Sequence, residues 1–175
     1  MIFMKPMRYL LLTAVLTFAV FSVITWTACN KNKCHNVVCL NNGECDGGKC
    51  VCPVGFEGLR CEILSRDKFI FNYNGYDLCG YGVNGDSTAY RQYSIHLLTV
   101  LHDSTEMVLT NFINNIEDSA ICTIQSTDSF TFIGSNNSTT WNGWGTLSHD
   151  SLHLTYHVIH DTTNYDCTYF GQSLR

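Results

Sequence analysis

Positive charge and proline are scarce in this sequence. Its 175 residues include 10 Lys and Arg against 15 Asp and Glu, and only 2 prolines. Proteins that bind nucleic acids cluster Lys and Arg to displace counterions from phosphates, so this composition excludes nucleic acid as a partner. Charged residues of both signs make up 14% of the chain, whereas aromatic residues make up 13%. Such a chain is too apolar for intrinsic disorder, and its length predicts one or two small folded domains.

Charge is absent altogether from Leu10 to Ala28, where the sequence reads LLLTAVLTFAVFSVITWTA. Lys5 and Arg8 precede this run, and a basic segment followed by an apolar core and small residues is typical of a secretory signal. About 20 apolar residues can also cross a bilayer, so an uncleaved anchor is the alternative. Both interpretations place the residues after Cys29 outside the cytoplasm.

The end of the apolar run, Thr27-Ala28-Cys29, resembles the lipobox of bacterial lipoproteins. In that family, small residues precede a cysteine that is linked to diacylglycerol and becomes the new N-terminus. Trp26 stands where the family usually has Leu. The resemblance implies a signal peptide at 1–28, lipidation of Cys29 and a membrane-attached tether at 29–33. We therefore expect an envelope location, in the outer membrane of a Gram-negative bacterium, with cleavage without lipidation as a further alternative.

Six cysteines are concentrated in one short segment: Cys34, Cys39, Cys45, Cys50, Cys52 and Cys61. A segment of this length cannot bury enough apolar surface to fold alone, so disulfides are expected to limit the entropy of its unfolded state. Zinc is the alternative, but two pairs at Cys-x-x-Cys spacing are missing and export favours disulfides. Six cysteines allow 15 connectivities, among which spacing alone does not choose.

The segment CHNVVCLNNGECDGGKCVCPVGFEGLRC, from Cys34 to Cys61, resembles an EGF-like module. The resemblance covers all six cysteines and implies the disulfides Cys34–Cys45, Cys39–Cys50 and Cys52–Cys61. Calcium-binding members of that family carry acidic residues before the first cysteine, whereas this chain has Lys31 and Lys33 there. We expect neither calcium nor any cofactor.

A different pattern follows a short linker at 62–67, because apolar residues alternate with polar ones from 68 to 175. Leu152, Leu154, Tyr156 and Val158 fall on one face of a strand, and Lys68–Tyr73 alternates in the same way. Turn-forming residues interrupt the apolar runs at seven places, which predicts about eight strands and no helix. Short connections favour an antiparallel β-meander that curls into a small barrel or half-barrel, with a β-sandwich as the alternative.

Three further cysteines lie in this predicted β-domain. Cys79 and Cys167 fall in its opening and closing strands, which become neighbours if the meander closes, so we predict a disulfide between them. Cys122 shares an alternating apolar face with Ala120 and Ile124, which predicts a buried free thiol.

The same region resembles a C-terminal domain of bacterial surface lipoproteins in which an EGF-like module precedes a Thr/Ser-rich β-domain. The matching features are Tyr76-Asp77-Leu78-Cys79, Val108-Leu109-Thr110-Asn111-Phe112, Gly143-Trp144-Gly145-Thr146-Leu147 and Asp166-Cys167-Thr168-Tyr169. No biochemical activity comes with this resemblance. Family members usually carry smaller residues where Trp141 and Trp144 stand, so a ligand surface there is expected to be particular to this chain.

Catalytic motifs are missing, since the sequence has no Gly-x-Ser-x-Gly, no HExxH and no phosphate loop. His153 and His157 share a strand face but lie about 13 Å apart, too far to hold one metal ion. Most acidic residues fall at turns, so we predict that the chain is not an enzyme. Trp141 and Trp144 are three residues apart on a strand and face opposite sides, so one is a possible ligand contact and the other packs in the core.

These features together predict a lipid-anchored, extracytoplasmic, non-enzymatic module that binds a protein or glycan outside the cell. The first alternative is a lipocalin-like carrier that encloses an apolar small molecule in its barrel. The second is an uncharacterised envelope hydrolase.

Overall fold

The computed structural model describes residues 33–81, 87–101, 103–115 and 117–174. The predicted signal peptide and Cys29 lie outside these residues. The chain divides into two compact units. The described residues of the first unit are 33–52 and 59–61, and those of the second are 53–58, 62–81, 87–101, 103–115 and 117–174.

A small hairpin organises the first unit. Strands β1 (Glu44–Asp46) and β2 (Lys49–Val51) pair antiparallel, with Cys45 opposite Cys50. Gly47 and Gly48 connect the strands at φ values of 56° and 91°. These left-handed conformations are open to glycine without a steric penalty, which explains the Gly-Gly pair at this tight turn.

The second unit begins with residues 53–58 rather than after Cys61. Strand β3 (Phe56–Glu57) pairs with β4 (Ile63–Leu64), and the Ser65 N–H donates to the Gly55 carbonyl at 2.9 Å. The segment 62–67, expected to be a linker, therefore contains a paired strand and the start of a 3₁₀ helix (Ser65–Lys68).

Eight strands form a closed antiparallel barrel in the second unit. They are β5 (Asn72–Tyr81), β6 (Ser87–Thr99), β7 (Glu106–Thr110), β8 (Ser119–Ser126), β9 (Ser129–Ser135), β10 (Thr139–Ser148), β11 (Ser151–His160) and β12 (Thr163–Ser173). Each strand pairs with the next in sequence, and β12 pairs with β5 to complete the ring. The predicted mainly β fold with an antiparallel meander is confirmed, as a full barrel rather than a half-barrel or a sandwich.

Two short helices correct the expectation that the chain has none. The first delays the start of β5 to Asn72, so that the predicted alternation from Lys68 is only partly strand. This helix forms because the Phe69 N–H donates to the Arg66 carbonyl. The turn places the Phe69 ring inside the barrel, where it packs edge-on against Phe130. The second, Phe112–Asn114, likewise buries the ring of Phe112. Within the described ranges, neither helix has the length or apolar character that a bilayer crossing requires.

Candidate functional site

The four disulfides join the cysteine pairs that the sequence analysis named. The first unit contains Cys34–Cys45, Cys39–Cys50 and Cys52–Cys61, and the barrel contains Cys79–Cys167. Cys79 lies directly opposite Cys167 in the register of β5 and β12, so this bond covers the seam where the barrel closes. Cys122 is a free, buried cysteine, and burial raises the pKa of its thiol to about 12.

Large side chains of the described residues pack inside the barrel. Trp141, Tyr73, Tyr156, Tyr169, Phe112 and Phe130 are among its fully buried residues. Rings contact one another across the interior; the centroids of Phe112 and Tyr156, for example, lie 4.7 Å apart. This packing disfavours the alternative of an apolar-ligand carrier, because a carrier of that type needs an interior cavity.

One carboxylate lies inside the barrel, which the sequence analysis missed when it placed the acids at turns. Asp77 in β5 is 0% exposed. Its Oδ2 accepts hydrogen bonds from Arg91 Nη2 at 3.1 Å, Tyr93 Oη at 3.2 Å and Tyr156 Oη at 2.9 Å. Charge pairing and hydrogen bonds of this kind are what allow a carboxylate to be buried. Asp77 has a structural role, because these hydrogen bonds tie β5 to β6 and to β11.

The tyrosines around Asp77 remain proton donors over the accessible pH range. Burial raises the pKa of Tyr93, and the negative charge of Asp77 raises it further. Burial is also the main cause of the raised pKa of Tyr156, with the neighbouring Tyr93 and Asp77 adding to it. Both hydroxyls therefore keep the protons that they donate to the carboxylate.

The outer face of strands β8 to β12 carries two rows of side chains that run across the strands. The strand registers place Ile121, Ile133, Asn142, His157 and Asp166 side by side in the first row. The second row consists of Thr123, Thr131, Trp144 and Thr155. Trp144 is therefore flanked by the small side chains of Thr131 and Thr155, which leave space around its large ring.

This space forms a cavity of about 720 Å³ that both rows line, and we call it the Trp144 groove. Its volume lies within the range of about 300–1,000 Å³ that is common for small-ligand sites. Trp144 is 55% exposed in it, and Ile133 is 66% exposed. A second cavity of about 620 Å³ continues from it and shares Ile121, Ile133 and Asn142 with it. The two cavities make an extended cleft along the barrel surface.

Polar groups in the Trp144 groove are either fixed in position or unused. His157 Nδ1 and Asp166 Oδ1 lie 2.8 Å apart in a hydrogen bond that orients the imidazole. The side chains of Asn142 and Trp144 make no hydrogen bond within the described part of the chain. The groove therefore offers an amide and an indole N–H to a ligand.

A second aromatic group lies elsewhere on the outer surface, on β11, β12, β5 and β6. His153 stacks on Phe170 with centroids 4.6 Å apart, Phe170 contacts Tyr76 at 5.6 Å, and Tyr76 stacks on Tyr90 at 5.2 Å. The rings cover one another's faces, so this row stabilises neighbouring strands through cross-strand pairs rather than presenting a flat platform.

The structure separates the two tryptophans that the sequence proposed as ligand contacts. Trp141 is 1% exposed and packs in the core, whereas Trp144 lies on the outer face. Asn142, His157 and Asp166, which share the groove with Trp144, were not identified from the sequence. These three residues come together only through the pairing register of β10, β11 and β12, which could not be read from the sequence. In the described ranges, no group of three or more His, Cys, Asp or Glu side chains is placed to hold a metal ion.

A short part of the chain is similar to a known protein. A stretch of 34 residues is 50% identical to Protein lin-12 of Caenorhabditis elegans, and the match covers 17% of this chain and 2% of that protein. No family model matches the chain. The match and the three disulfides of the first unit together point to an EGF-like module in the N-terminal segment. Multiple disulfides are typical of extracytoplasmic proteins, and the described residues contain four.

Proposed function

We propose that the chain is a non-enzymatic binding module that faces the outside of the cell and contacts its partner through the Trp144 groove. The observation that carries this proposal is the large exposed ring of Trp144, which lies in a concave site on a rigid, closed sheet. Aromatic side chains dominate binding energies because they bury a large area and lose little conformational entropy. Trp141 is buried in the core, whereas Trp144 lies outside the core with about half of its surface exposed.

Two observations support a binding role rather than a hydrolytic one. Asp77, the fully buried carboxylate, is held by three donors and enclosed by the barrel. In the Trp144 groove, Asp166 is the acidic residue, and it is bonded to His157 on an exposed surface. Acid–base catalysis at neutral pH usually relies on a partly desolvated group whose pKa lies near the working pH.

The membrane part of the proposal rests on Cys29, which follows the apolar run and its small residues. In this proposal, diacylglycerol on Cys29 and acyl chains such as palmitate hold the mature chain on the bacterial outer membrane. Replacing Cys29 with Ser should leave an unlipidated precursor. Mass spectrometry of the mature wild-type N-terminus measures the modification directly, and an unmodified Cys29 would refute the anchor.

Site-specific photo-crosslinking tests the binding role. A photoreactive phenylalanine analogue at Thr123, on the edge of the Trp144 groove, should form covalent adducts with the partner on intact cells. The same analogue at Leu98, which is exposed on β6 and does not line the groove, is the matched control. Adducts at 123 that disappear with Trp144→Ala support the proposal. Equal crosslinking at both positions, or none at 123, overturns it.

A further inference from the structure

We propose that the Trp144 groove binds an uncharged oligosaccharide. This inference rests on the proposed binding function and adds the chemical class of the ligand. Three properties of the groove lead to it: an exposed aromatic face, unused hydrogen-bonding groups beside that face, and a lining of described residues that includes no Lys or Arg.

The aromatic face is supplied by Trp144. A sugar ring has one face of C–H groups, which carry a small positive charge, and the face of an indole ring carries a negative one. The two surfaces attract each other and exclude water from both. Thr131 and Thr155 stand on either side of Trp144, and their short side chains leave the indole face open to a ring of this size.

Unused polar groups lie in the row of side chains next to Trp144. The Asn142 amide both donates and accepts, as the paired hydroxyls of a sugar do, and it makes no hydrogen bond within the described residues. Beside it in the same row, His157 is held by Asp166 at 2.8 Å, so its other ring nitrogen has a fixed direction. A ligand rich in hydroxyl groups can use all of these groups at once.

The charge of the lining selects against anionic ligands. The described residues that line the groove include no Lys or Arg, and Asp166 contributes a carboxylate. Phosphate, sulfate and uronic acid groups are normally recognised by Arg or Lys, which form charge-assisted hydrogen bonds with them. An uncharged ligand therefore suits this lining better than an anionic one.

The sheet also disfavours an extended peptide. Peptides often bind by adding a strand to an open sheet edge, where backbone groups lack partners. Every strand of this closed barrel is paired on both sides, including those under the groove. The continuous cleft formed by the two cavities, which share Asn142, has room for a chain of sugars rather than a single ring.

Affinity electrophoresis of the purified full chain tests this inference. Native gels containing mannan, laminarin, xyloglucan or galactan provide neutral probes, and gels containing dextran sulfate or polygalacturonate provide anionic ones. We expect at least one neutral polysaccharide to retard the protein and the anionic polymers to leave its mobility unchanged. Trp144→Ala should weaken the interaction about tenfold or more, and Asn142→Ala about fivefold.

Controls separate loss of the ligand contact from loss of the fold. Trp144→Phe keeps an aromatic face and should retain most of the affinity, and Leu98→Ala, on the outer face of β6, should retain all of it. Retardation by anionic polymers alone, or by none of the polymers, overturns the inference. If crosslinking at 123 still depends on Trp144 in that case, the binding function stands with a different ligand class. If both experiments fail, both proposals are wrong.

Discussion

The two units of this chain use disulfides for different purposes. In the first unit, Cys61 is the one described residue that is fully buried, and three disulfides replace an apolar core. The barrel has a core of more than a dozen apolar and aromatic side chains and a single disulfide. The first unit depends on covalent bonds to exist as a fold, whereas the barrel uses one to reinforce a fold that its core already specifies.

Loop length explains why that single bond matters to the barrel. The disulfides of the first unit join residues 11, 11 and 9 positions apart, whereas Cys79 and Cys167 are 88 positions apart. In the chain-entropy model, a longer closed loop restricts the unfolded chain more strongly. The Cys79–Cys167 disulfide should therefore add more to the free energy of unfolding than any of the other three. It does so in the unit whose fold is already specified by an apolar core.

Removing the barrel disulfide should have the largest effect. The double variant Cys79→Ala with Cys167→Ala should lower the free energy of unfolding of the barrel by about 4 kcal/mol. A domain of this size is stable by roughly 5–15 kcal/mol, so the variant should remain folded but melt many degrees lower. Denaturant unfolding followed by near-UV circular dichroism measures the change. A loss of less than about 1 kcal/mol in the free energy of unfolding would show that the Cys79–Cys167 disulfide contributes little.

The buried charge tests how far the core specifies the barrel. Asp77→Asn keeps the shape of the side chain but leaves Arg91 without its buried counter-charge. We expect a loss of about 3 kcal/mol, at the lower end for broken buried pairs because Arg91 is partly exposed. The free energy of unfolding in urea measures it, with Asp161→Asn at an exposed turn as the control. Equal stability of the two variants would contradict the assigned role of Asp77.

Removing a short disulfide should affect the first unit alone. Cys39→Ser with Cys50→Ser should lower the free energy of unfolding of the first unit by about 3 kcal/mol. A unit without an apolar core should unfold after a loss of this size. Hydrogen exchange should then show lost protection in the β1–β2 hairpin and unchanged protection in the barrel strands. Loss of protection in both units would mean that they fold as one, and the comparison between them would fail.

The free thiol should give the smallest effect. Cys122→Ala leaves a cavity the size of one sulfur atom and should cost about 1 kcal/mol. Burial raises the pKa of Cys122 to about 12, so its neutral form is favoured by folding. The stability that Cys122 contributes is therefore lost as the pH rises from the ordinary thiol pKa towards 12.

Thiol labelling tests which cysteine is free. A thiol reagent should leave Cys122 unmodified in the folded protein, and should modify it when the protein is unfolded with its disulfides intact. Labelling of Cys79 or Cys167 in that experiment would disprove the seam disulfide.

Local sequence patterns were sufficient for the strands and the barrel class. Alternation placed Leu152, Leu154, Tyr156 and Val158 inside, and all four are buried. Turn residues such as Thr127-Asp128 and His149-Asp150 marked the hairpins correctly. These features depend on neighbours in the sequence, so a single chain reveals them.

Features that depend on distant neighbours were missed. Asp77 looked like one acid among many, because its partner Tyr156 lies 79 positions away. Asn142 and His157 became part of the Trp144 groove only when the β10–β11 register set them opposite each other. A shift of one residue in that register would turn each side chain to the other face, and turn chemistry alone does not specify registers across a whole barrel.

The seam disulfide also makes the barrel resistant to a single cut by a protease. Together with the backbone from residue 79 to residue 167, the bond between the two sulfur atoms forms a covalent ring that contains all of β6 to β11. Exposed turns are the usual sites of proteolytic nicking. One cleavage inside the ring opens it but releases no fragment, and the strands on either side of the cut stay paired with their neighbours. A protein nicked outside the cell in this way would still migrate as one molecule until its disulfides were reduced.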